Sequence, residues 1–373
     1  MPRLSAALAL STVAAALLAA VLPRPAGLVE SAYAQSLYPS LQAVITTASN
    51  AVPVALFDAG LAIAAGLVLW WWGRAALAVW RRRAWRAAVV ALWRTVVLAA
   101  VAYLWFLAVW GLNYTRVPID VRLALPVAAA SGGEVLALLD TAVAESNRLA
   151  VAAHASRAAL AAALRSDAEQ RAPAAADGAD DAVARALAAV DATHGRPRPT
   201  VPGRPKPTLL ATYFRMAGVD GLTAPLALET LLNPDLTVFE RPFTLAHEWA
   251  HLSGHASEAD ASFVAWLVTQ TPDADPVTRY SGWLFLVSET SWQVPASERL
   301  RALAGLADLP RRDLADIARR MASRVDVVER VGWRVYDSYL RSQGVDDGVR
   351  SYSRAVSLIV RARREHEPAT MPQ

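Results

Sequence analysis

The sequence predicts a mainly α-helical fold, in which N-terminal transmembrane helices precede a mostly helical outer domain with a few short strands. Three observations support this prediction: long apolar segments before residue 113, helical periodicity over much of the remaining chain, and three histidines within nine residues. The 373 residues are 55% hydrophobic and 19% charged, with a mean hydropathy of +0.27. Soluble globular proteins are about 45–50% apolar and about 25% charged. The excess therefore indicates a membrane-embedded part of the chain.

The composition also excludes several classes of protein. A chain with this high apolar content is not intrinsically disordered. Because it contains no cysteine, disulfides and zinc sites with thiolate ligands are also excluded. The net charge of +4 and the isoelectric point near 9.6 are values that nucleic-acid-binding proteins can share. However, six arginines lie beside the apolar segments between residues 74 and 94, where membrane topology explains them. The predicted partner is the lipid bilayer, and no nucleic acid is expected.

Three segments are long and apolar enough to cross a bilayer. They comprise residues 4–22, 53–73 and 87–112, and they define a predicted membrane domain over residues 1–112. A spanning helix needs about 20 predominantly apolar residues, and tryptophan and tyrosine favour the membrane interfaces. Eight of the 13 tryptophans fall between residues 70 and 110. We therefore expect three transmembrane helices.

The arginine-rich loop at residues 80–86 predicts the orientation of these helices. Short loops rich in arginine stay in the cytoplasm, so the third helix runs outward and the chain after about Asn113 lies outside. Ala32 and Ala34 resemble a signal-peptidase site. A long spacer, residues 23–31, separates that site from the apolar core and favours retention of the first helix. Either outcome leaves the outer domain on the same side of the membrane.

The outer chain divides at a proline-rich segment. Residues 113–207 contain two predicted helices, over 131–165 and up to about Ala192, on either side of an Ala-, Asp- and Gly-rich loop at 172–181. Residues 196–207 then hold five prolines. Proline removes a backbone donor and stops a helix, so this segment predicts an extended linker.

Short strands and then helices are expected after the linker. Residues 208–240 mix apolar and turn-forming residues, which is typical of one or two short strands. Within them, residues 226–230 form either an edge strand, to which an extended peptide could pair, or an ordinary loop. From Thr244 the pattern is helical almost to the end, most clearly over 314–328 and 349–360.

A His-Glu-x-x-His motif in this last part predicts a zinc site. His247 and His251 are four residues apart, so their imidazoles lie on one helix face and can bind the same ion. Glu248 projects beside that ion, where it can act as general base toward a water molecule at the metal. Thr244 is the predicted N-cap of the helix. Gly254 is a predicted helix stop that allows the chain to return with a third ligand.

Three residues compete for the third ligand position: His255, Glu258 and Asp260. The segment 258–263 resembles the Glu-x-x-Ala-Asp/Asn-x-Phe element of gluzincins, a class of zinc peptidases. In those enzymes the first glutamate is the ligand and the residue four positions later orients a histidine. The resemblance therefore implies Glu258 as the ligand. The later position holds Ser262, where the element has Asp or Asn.

The chain as a whole resembles a family of bacterial membrane proteins catalogued as a domain of unknown function (DUF). Its members have N-terminal membrane helices and an outer domain with the His-Glu-x-x-His signature. The resemblance is carried by residues 206–267, 280–284, 335–340 and 347–352. It implies a zincin-like α+β, mostly helical catalytic domain over residues 208–373. It also implies a multi-pass protein of the bacterial inner (cytoplasmic) membrane with an extracytoplasmic catalytic domain.

These observations predict a membrane-anchored zinc metallopeptidase that hydrolyses peptide bonds of a protein or peptide in the cell envelope. Zn²⁺ is expected to be bound by His247, His251 and Glu258, with Glu248 as the general base. His255 is the predicted catalytic partner that stabilises the oxyanion. Further candidates for that role are Tyr280, Tyr336, Arg350 and Tyr352.

Two other functions remain open at this point. One is a zinc-dependent amide or ester hydrolase that acts on a cell-wall or lipid component. The other is a non-enzymatic envelope protein with a structural metal site. The presence of Glu248 argues against the structural site, because such a site closes with four protein ligands and gains nothing from a general base.

Overall fold

The structure, a computed structural model, describes residues 2–168, 177–272, 274–342 and 352–366. It is 74% helix and 3% strand, which confirms the predicted mainly helical fold. The helices are α1 (Pro2–Val21), α2 (Ala26–Leu28), α3 (Tyr38–Asn50), α4 (Leu56–Arg82), α5 (Arg86–Val109), α6 (Ile119–Arg122), α7 (Gly132–Ala168), α8 (Asp177–Thr193), α9 (Ala211–Ala217), α10 (Arg241–Leu252), α11 (Glu258–Gln270), α12 (Pro276–Ser291), α13 (Ala296–Ala304), α14 (Asp308–Met321), α15 (Asp326–Ser342) and α16 (Tyr352–His366). The strands are β1 (Pro205–Lys206), β2 (Gly221–Ala224) and β3 (Glu229–Leu232).

Two helices, α4 and α5, are long and apolar enough to cross a bilayer, and a bent pair that begins with α1 is a third candidate. α4 and α5 pack against each other, and large apolar side chains such as Leu69 and Val89 are exposed on them, as on a lipid-facing surface. These helices indicate association with a lipid bilayer. α4 runs past the predicted end at residue 73, to Arg82, because residues 74–80 are mostly helix-forming and contain no breaker.

The chain turns sharply after α1. Pro23 and Pro25 lie at the break, and the segment 26–50 is bent by 115° from the axis of α1. α1 packs along α5. α3 instead packs against the sheet, in the part of the protein that follows residue 113. Its buried Gln42 and Thr46 side chains donate hydrogen bonds to backbone carbonyls of that part. The predicted first span therefore corresponds to α1, and α3 after it packs against residues that follow the apolar helices in the chain.

Helices α7 and α12 pack along each other in the part of the protein that follows residue 113. α7 confirms the predicted helix at 131–165. α8 begins at Asp177, so residues 177–181 are helical and the predicted loop at 172–181 is wrong there. The rest of that loop lies outside the described residues. An acidic residue in the first turn, Asp180, favours the start of this helix, because a negative charge there interacts favourably with the positive end of the helix.

A small sheet lies before the motif helix. Its strand order is β1-β3-β2, with β1 parallel and β2 antiparallel to β3. The predicted edge strand at 226–230 is wrong in place and in role. The strand begins at Glu229, because Leu228 has a positive φ of 47° and belongs to the turn. β3 is also the central strand, so the two edges of the sheet belong to β1 and β2.

The proline-rich segment 196–207 is extended, as predicted, and it is packed against the protein. The Trp249 indole donates a hydrogen bond to the Gly203 carbonyl at 2.9 Å, and Lys206 forms part of β1. One hydrophobic core joins buried residues of α7, α8, α10, α11, α12 and α16. The core thus continues across residue 207, where the sequence suggested a boundary.

The C-terminal helices depart from the prediction at one break. The predicted helix at 314–328 is interrupted between Met321 and Asp326. At this break the Val325 amide donates a hydrogen bond to the Met216 carbonyl at 2.9 Å. This bond joins the start of α15 to the end of α9. α16 confirms the predicted helix at 349–360 from Tyr352 onward, and residues 349–351 lie outside the described residues.

Candidate metal centre

The histidine motif lies on α10, a buried helix between the sheet and α11. The helix begins at Arg241 with Pro242 in its first turn, a favoured position for proline. The predicted N-cap, Thr244, is wrong: it lies inside the first turn and its hydroxyl bonds to the Glu240 carbonyl. Gly254 follows the end of the helix with a φ of 90°, which fits its predicted role as a helix stop.

The turn after Gly254 brings Glu258 back to the two histidines. Glu258 is the first residue of α11, and its Oε2 lies 3.1 Å from His247 Nε2 and 3.5 Å from His251 Nε2. One ligand atom from each of the three side chains lies within 4.8 Å of the others. Two imidazole nitrogens and one carboxylate oxygen are a donor set typical of catalytic zinc, which leaves a position for water or substrate. The residues present therefore fit a zinc ion.

Each histidine is oriented by a second contact on its other ring nitrogen. His251 Nδ1 donates to the His255 carbonyl at 2.7 Å. His247 Nδ1 lies 3.2 Å from the hydroxyl oxygen of Ser262, one turn along α11 from Glu258. Such contacts fix the ring tautomer and direct Nε2 toward an ion. Ser262 thus occupies the orienting position that the gluzincin-like element implies, with a hydroxyl in place of a carboxylate or amide.

Glu248 is buried against the edge strand β2. The Thr223 hydroxyl donates to Glu248 Oε2 at 2.8 Å. A Cβ atom at Gly221 would lie 2.5 Å from Glu248 Oε1, so a larger residue there would displace the Glu248 carboxylate. Sequence reasoning missed both residues. A glycine inside a strand often marks a close approach of another group, and that was the one available signal for Gly221.

The pKa values follow from burial and from the neighbouring charges. Burial alone would raise the pKa of Glu258, but the adjacent imidazoles of His251 and His247 hold it well below its usual range. Burial also disfavours a charged His251, yet the Glu258 carboxylate raises the pKa of His251 to about 9. Burial raises the pKa of Glu248, against the opposing effect of the two histidines. The two carboxylates therefore differ, and Glu248 has the greater affinity for a proton.

His255 and Asp260, the other two candidates for the third ligand, do not join this group. The His255 imidazole is buried with Nδ1 3.3 Å from an Arg122 nitrogen. Burial and the nearby guanidinium groups lower the pKa of His255 well below its ordinary value, so this imidazole is neutral. Asp260 is buried and interacts with Arg354 and Arg122. The predicted catalytic role of His255 stays a prediction, and the contact it makes with the group is through its carbonyl.

Of the two further candidates whose side chains the structure describes, one reaches the group. The Tyr336 hydroxyl, on α15, donates a hydrogen bond to Glu258 Oε1. Tyr280 instead lies in the core and donates to Asp313 at 2.6 Å. Arg350 and the side chain of Tyr352 lie outside the described residues.

A family described as a protein of unknown function (DUF3810) matches residues 33–360. The match includes α4, α5, the motif helix and the three residues of the metal group. No curated protein and no solved structure matches the chain. Because the match covers most of the sequence, the chain belongs to the DUF3810 family.

Proposed function

We propose that this protein is a membrane-anchored zinc metallopeptidase, with a zincin-like catalytic part, that hydrolyses peptide bonds of a protein or peptide in the cell envelope. The main support is the convergence of His247, His251 and Glu258 ligand atoms within 4.8 Å, with Glu248 next to them on α10. A structural metal site fits less well, because it normally has four protein ligands and no neighbouring base.

The residues of the site have distinct tasks in this proposal. His247, His251 and Glu258 hold the ion, and Ser262 and the His255 carbonyl orient the two imidazoles. Zinc supplies Lewis acidity toward water and toward the scissile carbonyl. Glu248 takes the proton from the attacking water and passes it to the leaving amine. Burial raises the pKa of Glu248, which improves its match to a base that works near neutral pH.

Tyr336 is the residue we propose for stabilising the oxyanion, in place of His255. Its hydroxyl contacts the ligand Glu258 from α15. A neutral donor at that point can turn from the carboxylate toward the negative charge that develops on the substrate carbonyl. The His255 imidazole, in contact with Arg122, has a supporting position instead.

The open edge of β2 is the proposed docking strand for the substrate. β2 pairs with β3 on one side, and its Thr223 side chain contacts Glu248. An extended peptide that pairs with the other side of β2 through main-chain hydrogen bonds comes within reach of that base. This mode of binding favours a polypeptide substrate over a cell-wall or lipid component.

We further propose that α1, α4 and α5 anchor the protein in the bacterial inner membrane with the metal group outside. The turn between α4 and α5 is flanked by Arg81, Arg82 and Arg86, which favours a cytoplasmic position. The opposite end of α4 meets the sheet, because its first amides, Leu56 and Phe57, donate to the Glu229 carboxylate. The sheet and the arginine turn therefore lie at opposite ends of α4.

Metal analysis of the full chain in detergent, paired with Glu248→Gln, tests the function. We expect stoichiometric zinc in the wild type and in Glu248→Gln, and loss of zinc in Glu258→Ala. Peptide hydrolysis should fall by about 10²–10⁴-fold in Glu248→Gln, the usual contribution of a general base. Glu145→Gln, on the surface of α7, is the matched control and should retain both zinc and activity. Comparative proteomics of envelope fractions from wild-type and Glu248→Gln cells identifies the substrate.

Each alternative has its own outcome. Wild-type protein without zinc would contradict the proposal. Zinc retention together with full complementation of a deletion by Glu248→Gln would indicate a structural metal site. An unchanged set of envelope peptides, with altered lipid or cell-wall fragments, would indicate an amide or ester hydrolase.

A further inference from the structure

Helix α15 presents a row of exposed valines. Val327, Val331 and Val335 are 61%, 51% and 66% exposed and follow each other at intervals of four residues, so they share one face of the helix. At 3.6 residues per turn, Asp326, Arg330, Asp337 and Arg341 fall on an adjacent side of α15, and Arg334 lies at the border between that side and Val327. Such a separation of apolar and charged faces is typical of a helix that lies in a membrane interface.

Contacts on other sides of α15 hold the helix in place. A Cβ atom at Gly332 would lie 2.7 Å from the Tyr213 hydroxyl, so α15 and α9 are in close contact. Val325 bonds to Met216 at the end of α9, and Tyr336 bonds to Glu258 at the metal group. The exposed valines make none of these contacts.

Helix α9, on which α15 rests, is tied to the start of membrane helix α4. The Leu209 amide, just before α9, donates to the carboxylate of Asp58 at 2.7 Å, and Asp58 lies in the first turn of α4. Phe57 packs against the small cluster that contains Phe214 of α9. Leu209 and Tyr213 are 82% and 41% exposed. The exposed apolar residues therefore begin beside the first turn of α4 and continue onto α15.

We propose that this surface, formed by Leu209, Tyr213, Val327, Val331 and Val335, docks on the outer leaflet of the bilayer that α4 and α5 cross. Its continuity with α4 selects lipid as the occupant. The interfacial valines and tyrosine enter the boundary between headgroups and acyl chains, while the charged face of α15 stays in water. Docking depends on membrane insertion of α4 and α5, and it does not depend on the metal.

The docking has a consequence for the substrate. Tyr336 and Val335 are neighbours on α15, so the metal group lies one helix width from the lipid surface. Together with the proposed function, this places the cleaved bond in a membrane-tethered polypeptide, close to where it emerges from the bilayer.

Site-directed labelling tests the docking, and the chain suits it because it contains no cysteine. Val331→Cys in the full chain is labelled with a polarity-sensitive fluorophore and reconstituted, without added zinc, into vesicles of phosphatidylcholine and phosphatidylglycerol. Leu69→Cys on α4 is the lipid-facing reference. Leu300→Cys on α13, with 68% exposure, is the matched exposed control. Headgroup-proximal nitroxide lipids should quench the label at Val331, and nitroxides deep in the acyl chains the label at Leu69, several-fold more than either quenches the label at Leu300.

Two results would overturn the docking. In the first, the Val331 label is quenched no more than the Leu300 label. In the second, the Val331 label is shielded from aqueous iodide but is insensitive to nitroxide lipids, which would indicate that a protein surface covers it. The measurement requires neither metal nor activity, so its failure is distinct from a failure of the proposed function.

Discussion

Two buried carboxylates, Glu229 at the junction of the sheet with α4 and Glu258 at the metal group, are compensated in different ways. Glu229 is 1% exposed and accepts hydrogen bonds from the ammonium group of Lys206 and from the amides of Leu56 and Phe57. Glu258 is almost as buried, but its partners are two imidazoles and the Tyr336 hydroxyl. One carboxylate has a permanent cation and the other does not.

This difference is the one expected between a structural site and the catalytic site that we propose. A buried charge is tolerated only with a partner, and Lys206, the one lysine of the chain, supplies it at the junction. At the metal group the positive charge comes from the His251 imidazole, whose pKa is raised to about 9 and whose proton leaves as the pH rises through that value. The junction can therefore only hold the membrane helix to the sheet, whereas the metal group can exchange protons for a divalent cation.

The largest expected effect comes from breaking the junction. Lys206→Met leaves the Glu229 carboxylate buried without its cation, and we expect a loss of about 3–5 kcal/mol in the free energy of unfolding. Denaturant unfolding of the detergent-solubilised protein measures it. Adding Glu229→Gln to Lys206→Met should restore part of the loss, because the uncompensated charge is then removed. If Lys206→Met alone is as stable as the wild type, the ion pair between Lys206 and Glu229 is not needed for stability.

Removing the Tyr336 hydroxyl, the neutral hydrogen-bond donor to Glu258, tests the proposed catalytic site. Tyr336→Phe should reduce kcat by about 10²–10³-fold, the range observed when one oxyanion donor is lost. Zinc content and KM should change little, because Tyr336 is not one of the three ligands. A variant that loses zinc while its zinc-loaded form keeps the wild-type kcat would show that Tyr336 only supports Glu258.

The stability of the zinc-free protein should depend on pH through the metal group. The pKa of His251 is raised from 6.5 to about 9, so its stabilising effect is complete below pH 6.5 and is lost as the pH rises through about 9. The loss is on the order of 3 kcal/mol. The lowered pKa of Glu258 acts in the other direction: its stabilisation is present above pH 4.5 and is lost in acid.

Thermal unfolding of chelator-treated protein across this range measures the effect. Zinc must displace the proton on His251, so the increase in Tm on adding zinc should be larger near pH 8 than near pH 6. His251→Gln should flatten the decline between about pH 6.5 and 9. A zinc-free protein equally stable at both ends of that interval would contradict the assignment.

The sequence predicted the parts of the molecule that have a local signature. The apolar runs gave α4 and α5, the 3.6-residue periodicity gave α7, and the spacing of His247 and His251 placed two imidazoles on one face. The membrane helix α4 was nevertheless predicted too short, because hydropathy falls at Arg74 while helix propensity does not. A pattern within one segment was therefore enough to predict the structural features that depend on that segment alone.

What the sequence did not predict depends on contacts between distant segments. Thr223 and Gly221 reach Glu248 only because β2 folds over α10, and no motif marks those positions. The strand at 229–232 is central rather than at the edge because two residues of the proline-rich segment pair with it. Tyr336 lies 78 positions after Glu258; the sequence made it one of several oxyanion candidates but gave no sign of its contact with Glu258.

The smallest expected effect concerns the contact between Ser262 and His247. Ser262→Ala should weaken zinc binding by about 10–100-fold, or about 1.4–2.8 kcal/mol, because the Nδ1 atom of His247 loses the partner that orients it. Competition with a chromogenic chelator measures the affinity. Ser323→Ala, an exposed serine on the surface between α14 and α15, is the control and should bind zinc as the wild type does.

A second substitution at the same position decides whether orientation is the cause. Ser262→Asn installs a residue found in the gluzincin element and offers a carbonyl oxygen to His247, so it should bind zinc at least as tightly as the wild type. Equal affinities for Ser262→Ala and the wild type would show that α10 alone fixes the His247 ring. In that case the metal group, like the Lys206–Glu229 junction, would be preorganised by packing rather than by a hydrogen bond to its imidazole.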